Sequence, residues 1–191
     1  MLAAATEQKP PNVSGNISKK NILMTEKEKK IYKHGIIVGE LGAIAKFNDK
    51  TNNGHDFSLE LISDFDSTSK YLDNLIDGKY GISETYELKK IDNKNAFVYF
   101  YKLLHDKWFY AYQNKDENHL SDLNDSFSLY TNPWKKEWIE EFVDFLLQTL
   151  NPINIFEINY VGLKYYYASD YNEFIFECEQ EIYHFKLKVS D

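Results

Sequence analysis

Arginine is absent from this 191-residue chain, and all 22 of its basic residues are lysine. The planar guanidinium is the usual two-point grip on phosphate or carboxylate, whereas a lysine ammonium is a point charge. With 30 acidic residues the formal net charge is -8. That charge repels a nucleic-acid backbone and removes the electrostatic attraction that supplies most of the affinity for one. Direct binding to DNA or RNA is not expected.

Cysteine is almost as scarce. The single Cys178 excludes a disulfide within one chain and a zinc site built from cysteines. It fits a reducing, cytoplasmic setting. Long apolar runs are missing too, and mean hydropathy is -0.54, so no membrane-spanning helix is expected. The apolar opening at residues 2–5 is short and has no basic flank, unlike a secretory signal. Glycine is sparse, and Gly35, Gly39 and Gly42 match neither the dinucleotide-binding nor the P-loop spacing. They read as turn or strand-bulge glycines.

What the chain does have is aromatic mass: 15 Tyr, 13 Phe and 3 Trp. Its length suits a domain able to bury a core without disulfide or metal staples. Residues 1–23, with Pro10-Pro11 and little periodicity, read as an extended or disordered arm ahead of one α+β domain over 24–191. Met24 is a second candidate start. Residues 1–50 carry nine Lys against five acids, and residues 51–191 carry thirteen against twenty-five. The basic third can therefore lie against the acidic remainder.

Thr25-Glu26-Lys27-Glu28 fits a capping box and opens a helix that Gly35 is placed to end. Ile36–Phe47 reads as a strand, paired through a turn with the alternating Phe57–Ile62. A short helix is expected over Asp66–Asp77, ahead of Gly78. Strands are expected at Tyr86–Ile91, Ala96–Leu104, Trp108–Gln113 and Phe127–Tyr130; the second of these is dense in β-formers. The clearest element is an amphipathic helix over Pro133–Leu150, ended by Asn151-Pro152. Strands then follow at Ile153–Tyr160, Leu163–Tyr167, Glu173–Glu179 and Glu181–Val189. In the last two, apolar and polar residues alternate, which predicts a mainly antiparallel, half-solvated sheet with the long helix and one or two shorter ones on one face.

No arrangement of residues carries a strong chemical signature. His34, His55, His105, His119 and His184 include no H-x-x-x-H pair, so no metal or other cofactor is expected. Alternation puts Cys178 and His184 on opposite faces, which makes Cys178 a structural thiol rather than a nucleophile. There is no G-x-S-x-G elbow. The acidic pairs Asp64/Asp66 and Glu140/Glu141 read as solvated surface.

The remaining signal is a surface. Asp116, Glu117, Asp122 and Asp125 cluster in a polar stretch, and Glu173, Glu177, Glu179 and Glu181 lie on the C-terminal strands. Both groups are interleaved with tyrosines, notably Tyr110, Tyr112, Tyr130, Tyr165, Tyr166, Tyr167 and Tyr171. Aromatics anchor protein interfaces, and charge steers and selects the partner. The expected function is therefore a non-enzymatic domain, monomer or small oligomer, that sequesters or blocks a basic protein partner. It would act as inhibitors and immunity proteins do, occluding a nuclease-type or other phosphate-handling site. Two alternatives stand beside it. One is a hydrolase or transferase with a site built from scattered Asp, Glu, His and Tyr. The other is a structural subunit that self-associates through a sheet edge or a tyrosine patch.

Overall fold

Thr25 caps the first helix in the manner the sequence predicts. Its backbone N–H donates to Glu28 Oε2 at 2.7 Å, and the Glu28 N–H donates to Thr25 Oγ1 at 3.2 Å. The helix, α1, runs over Glu26–Asn48 and does not stop at Gly35. The strand expected over Ile36–Phe47 is thus corrected to helix. Ile37, Leu41, Ile44 and Ala45 recur at helical spacing and are buried, and that tertiary contact outweighs the weak helix propensity of glycine. The computed structural model describes residues 24–48, 54–108 and 133–190. The arm at 1–23, the strand expected at Phe127–Tyr130 and nearly all of that at Trp108–Gln113 lie outside them.

Among the described residues the fold is α+β. After α1 come β1 (Gly54–Ile62), α2 (Thr68–Ile76), β2 (Ser83–Ile91), α3 (Ala96–Leu103), α4 (Pro133–Leu150), β3 (Asn154–Leu163), β4 (Asp170–Glu177) and β5 (Ile182–Ser190). The five strands form one antiparallel sheet in the order β1-β5-β4-β3-β2.

Two expected strands are corrected. Ala96–Leu104 is helical, despite the β-forming run Phe97–Tyr101, and it continues through a π-turn over Leu104–Trp108. Ala96, Phe100, Leu104 and Trp108 fall four residues apart and all are buried. Spacing therefore overrides propensity. Leu163–Tyr167 is not a strand; β3 ends at Leu163.

Helix ends follow local chemistry. Gly78 follows α2 with φ +67°, a conformation that costs glycine nothing. At Gly81 a Cβ would stand 2.0 Å from the Ile76 carbonyl oxygen, so only glycine fits that return. Asn151, at φ 45°, ends α4, and its N–H donates to the Leu147 carbonyl at 2.9 Å.

The first face of the sheet is covered. The second is covered over its middle while Asp56, Glu60, Leu88 and Lys90 stay exposed, so the expected half-solvated sheet is corrected only beneath α2. On the first face Phe174, Phe176, Tyr183, Phe185 and Leu187 pack with the inner sides of α1, α3 and α4. Phe100 sits at the centre, its ring 5.0 Å from Phe174 and 5.4 Å from Phe176. Between the two edge strands β1 and β2 the chain forms α2, which packs on the second face. There Tyr71 and Leu72 join Ile158, Tyr160 and Ile175 in a smaller cluster.

Candidate functional site

Two places concentrate polar chemistry: the interior beneath α2 and a cleft at the β4–β5 turn.

Beneath α2, register sets the residues. On β4 and β5 the pairs Glu173↔Lys186 and Ile175↔His184 face the second side of the sheet. Glu173 is 0% exposed and His184 2%. His184 Nε2 donates to Glu173 Oε2 at 2.8 Å, and Tyr160 donates to the same oxygen at 2.9 Å. Tyr167, from the β3–β4 connection, donates to Glu173 Oε1. The other ring nitrogen, Nδ1, lies in hydrogen-bond contact with the Tyr71 hydroxyl of α2 at 2.7 Å.

Burial alone drives the Glu173 carboxyl upward. The hydrogen bonds and charge of His184, with those from Tyr167 and Tyr160, more than offset this and hold it below its ordinary value. The phenols shift the other way: burial, and the carboxylate beside them, raise Tyr160, Tyr167 and Tyr71.

The row Tyr71–His184–Glu173 has the order of a hydroxyl, a base and a carboxylate. In catalysis such a row must reach a substrate. Here its hydroxyl end is covered, with Tyr71 only 8% exposed. The lining of the cleft described next includes none of the three. The arrangement does what a satisfied buried network does: it fixes side-chain positions and ties α2 to β4 and β5.

At the β4–β5 turn an open cleft of about 620 Å³ has Leu61, Ile62, Phe65, Ile153 and Ile182 among its apolar lining, and Asp66, Glu177, Glu179 and Glu181 as its charged lining. No lysine lines it. The four carboxylates are held differently. Glu177 accepts from Thr68 at 2.6 Å and Asn154 at 2.9 Å. Both donors are neutral. Glu181 is bridged by Lys30 and accepts from Tyr183 at 2.6 Å. Asp66 pairs with Lys70 at 2.8 Å. Glu179 is exposed at the turn. Cys178 also lines the cleft, and burial pushes its thiol up to about 11. It is a poor nucleophile at neutral pH, in line with its expected structural role.

The residues singled out in the sequence divide accordingly. Glu177 and Glu179 come together at the cleft. Glu173, expected on a solvated face, is buried, and that exposure is corrected: α2 covers it. Tyr167 turns inward to Glu173, and Tyr171 is half-buried beside Tyr160 and Tyr167. Tyr165 is 49% exposed but is not in the cleft lining. Asp116, Glu117, Asp122 and Asp125 lie outside the described residues. Sequence reading missed the apolar wall. Leu61 and Ile153 are 46% and 59% exposed, and the signal available was their position near the end of β1 and just before β3.

Among the described residues no group of three or more His, Cys, Asp or Glu side chains is placed to hold a metal ion, and no helix is long and apolar enough to cross a membrane. Compared with protein-family models, curated proteins and solved structures, the chain matches none of them.

Proposed function

We propose that this chain is a non-enzymatic protein-binding domain that sequesters or blocks a basic partner, and that the cleft at the β4–β5 turn is where it does so. The observation that carries this reading is the pairing of an apolar wall with an anionic, lysine-free lining. Leu61 and Ile153 supply desolvated contact, and Glu177, held by Thr68 and Asn154, and the exposed Glu179 supply negative charge. A lysine- or arginine-bearing loop with an apolar neighbour is the matching shape. Charge at the rim sets encounter rate and selectivity, and apolar burial sets residence time.

The finer reading is occlusion. A carboxylate array facing a cationic site competes with the anionic substrate that the site was built to hold, so a nuclease-type or other phosphate-handling enzyme is the proposed class of target. The single cysteine supports a reducing compartment as the setting.

Affinity purification from the source cell, at low and moderate salt, tests both statements. A stoichiometric basic protein retained by the wild type is expected. It should be lost on Glu179→Lys and on Ile153→Lys, with the thermal unfolding of each variant unchanged. A partner retained by both variants, or no stoichiometric partner at either salt, refutes the reading.

A further inference from the structure

The helix α1 is apolar on two opposite sides. Its inner side carries Ile37, Leu41 and Ile44 into the core. Its outer side carries Ile31, Tyr32, Gly35, Val38, Gly39 and Gly42, all exposed. Ile31 and Tyr32 are each 62% exposed, and Val38 is 40% exposed. A surface helix ordinarily turns polar residues outward, and one that is apolar all round is ordinarily covered. Between Glu28 and Lys46 this outer row has no charged side chain.

The glycines sharpen the point. They sit inside a helix, where glycine is the poorest residue after proline. Among the described residues neither backbone nor packing requires them. None has positive φ, and a Cβ at Gly35, Gly39 or Gly42 would meet nothing within 4 Å beyond its own helix. What they provide is a trough through which a second backbone can approach closely.

The row is also ordered. It reads acid, large, large, small, small, small, base: Glu28, Ile31, Tyr32, Gly35, Gly39, Gly42, Lys46. Reversed and laid on itself about a centre between Gly35 and Gly39, it sets Gly35 on Gly39, Tyr32 on Gly42, Ile31 on Ala43 and Glu28 on Lys46. Large meets small, and acid meets base, at both ends. The parallel arrangement sets Tyr32 on Tyr32 and Glu28 on Glu28.

We propose that two copies of this chain associate antiparallel through the outer side of α1, with Gly35 of one copy against Gly39 of the other. The contact is isologous, as a two-fold dimer demands. A shallow crossing of about 20° keeps the charged ends in register. No residue of this outer row lines the acidic cleft, so dimerisation and partner binding are read by different variants.

Light scattering coupled to size exclusion, on the full chain from about 1 to about 300 μM, tests this. The weight-average mass is expected to rise from 22.5 kDa toward twice that value. Gly39→Gln fills the trough yet leaves the monomer fold intact by far-UV circular dichroism, and it is expected to weaken association at least about tenfold. Ile31→Lys, at the 62% exposed end of the outer row, is also expected to weaken association at least about tenfold. Three results overturn the proposal. They are a single-chain mass across the whole range, association unaffected by Gly39→Gln, and association unaffected by Ile31→Lys.

Discussion

The two faces of the sheet share five strands and solve opposite problems. On the first, three helices meet Phe174, Phe176 and Phe185 in a core of rings and aliphatic groups. Of its buried members only Trp108 and Tyr183 carry a polar side-chain atom, bonded to Asn172 and Glu181 at the margin. On the second, one nine-residue helix covers a cluster containing a buried carboxylate, an imidazole and three phenols. The first face is stabilised by area removed from water. The second is stabilised only if every polar group keeps its partner, because an orphaned group costs more than its bond contributes. Successive residues of β4 divide between them, Glu173 facing one side and Phe174 the other.

Phe100→Ala, at the centre of the dry face, is expected to cost the most, about 3–5 kcal/mol in denaturant unfolding. A cost below about 1 kcal/mol would mean that the helical layer contributes little. Glu173→Gln, which replaces one of the two oxygens shared by His184, Tyr160 and Tyr167 with a donating amide, is expected to cost about 2–3 kcal/mol. Its effect carries a pH signature. The Glu173 carboxyl lies below its ordinary value of 4.5 when folded. Its stabilisation is therefore fully present above that value and fades as pH falls through the lower, folded one. The gap between wild type and Glu173→Gln is expected to narrow from pH 7 to pH 3, whereas that for Phe100→Ala is expected to stay flat.

Tyr160→Phe removes one of the donors to Glu173 and is expected to cost about 1 kcal/mol, measurable as a lowered midpoint in urea. Gly39→Ala has the smallest expected effect and the opposite sign. It lies on neither face of the sheet and in open space, so monomer stability should rise by about 0.5–1 kcal/mol in thermal unfolding at low protein concentration.

Local signals were legible where local physics decides. The Thr25/Glu28 capping box, the glycine after α2, the Asn151 terminus of α4 and the alternation of β5 all follow from neighbours in sequence. Where distant packing decides, the reading failed. The run Phe97–Tyr101 looks like a strand to any propensity scale. Yet Ala96, Phe100, Leu104 and Trp108 already stood at the four-residue interval of a helix face. Ile36–Phe47 failed similarly: glycines obscured the helical recurrence of Ile37, Leu41 and Ile44. Glu173 was read as solvated because alternation marks which residues share a face, not whether a helix a hundred residues earlier covers it.

Glu177 and Glu179 were legible as acidic residues on a strand and its following turn. The cleft around them was not, because its walls come from β1, the start of α2, the start of β3 and the β4–β5 turn. No sequence interval encodes that convergence.

The strand β1 finds its neighbour in β5, with Gly54 opposite Ser190 and Leu59 opposite Phe185. During synthesis, Phe57 and Leu59 therefore emerge more than a hundred residues before the backbone that will shield them, and loops of that span close late. On the ribosome this first strand is a sticky, unmated ribbon for most of translation. Nascent-chain chaperones should dwell there and let go only when Ile182–Ser190 clears the exit tunnel.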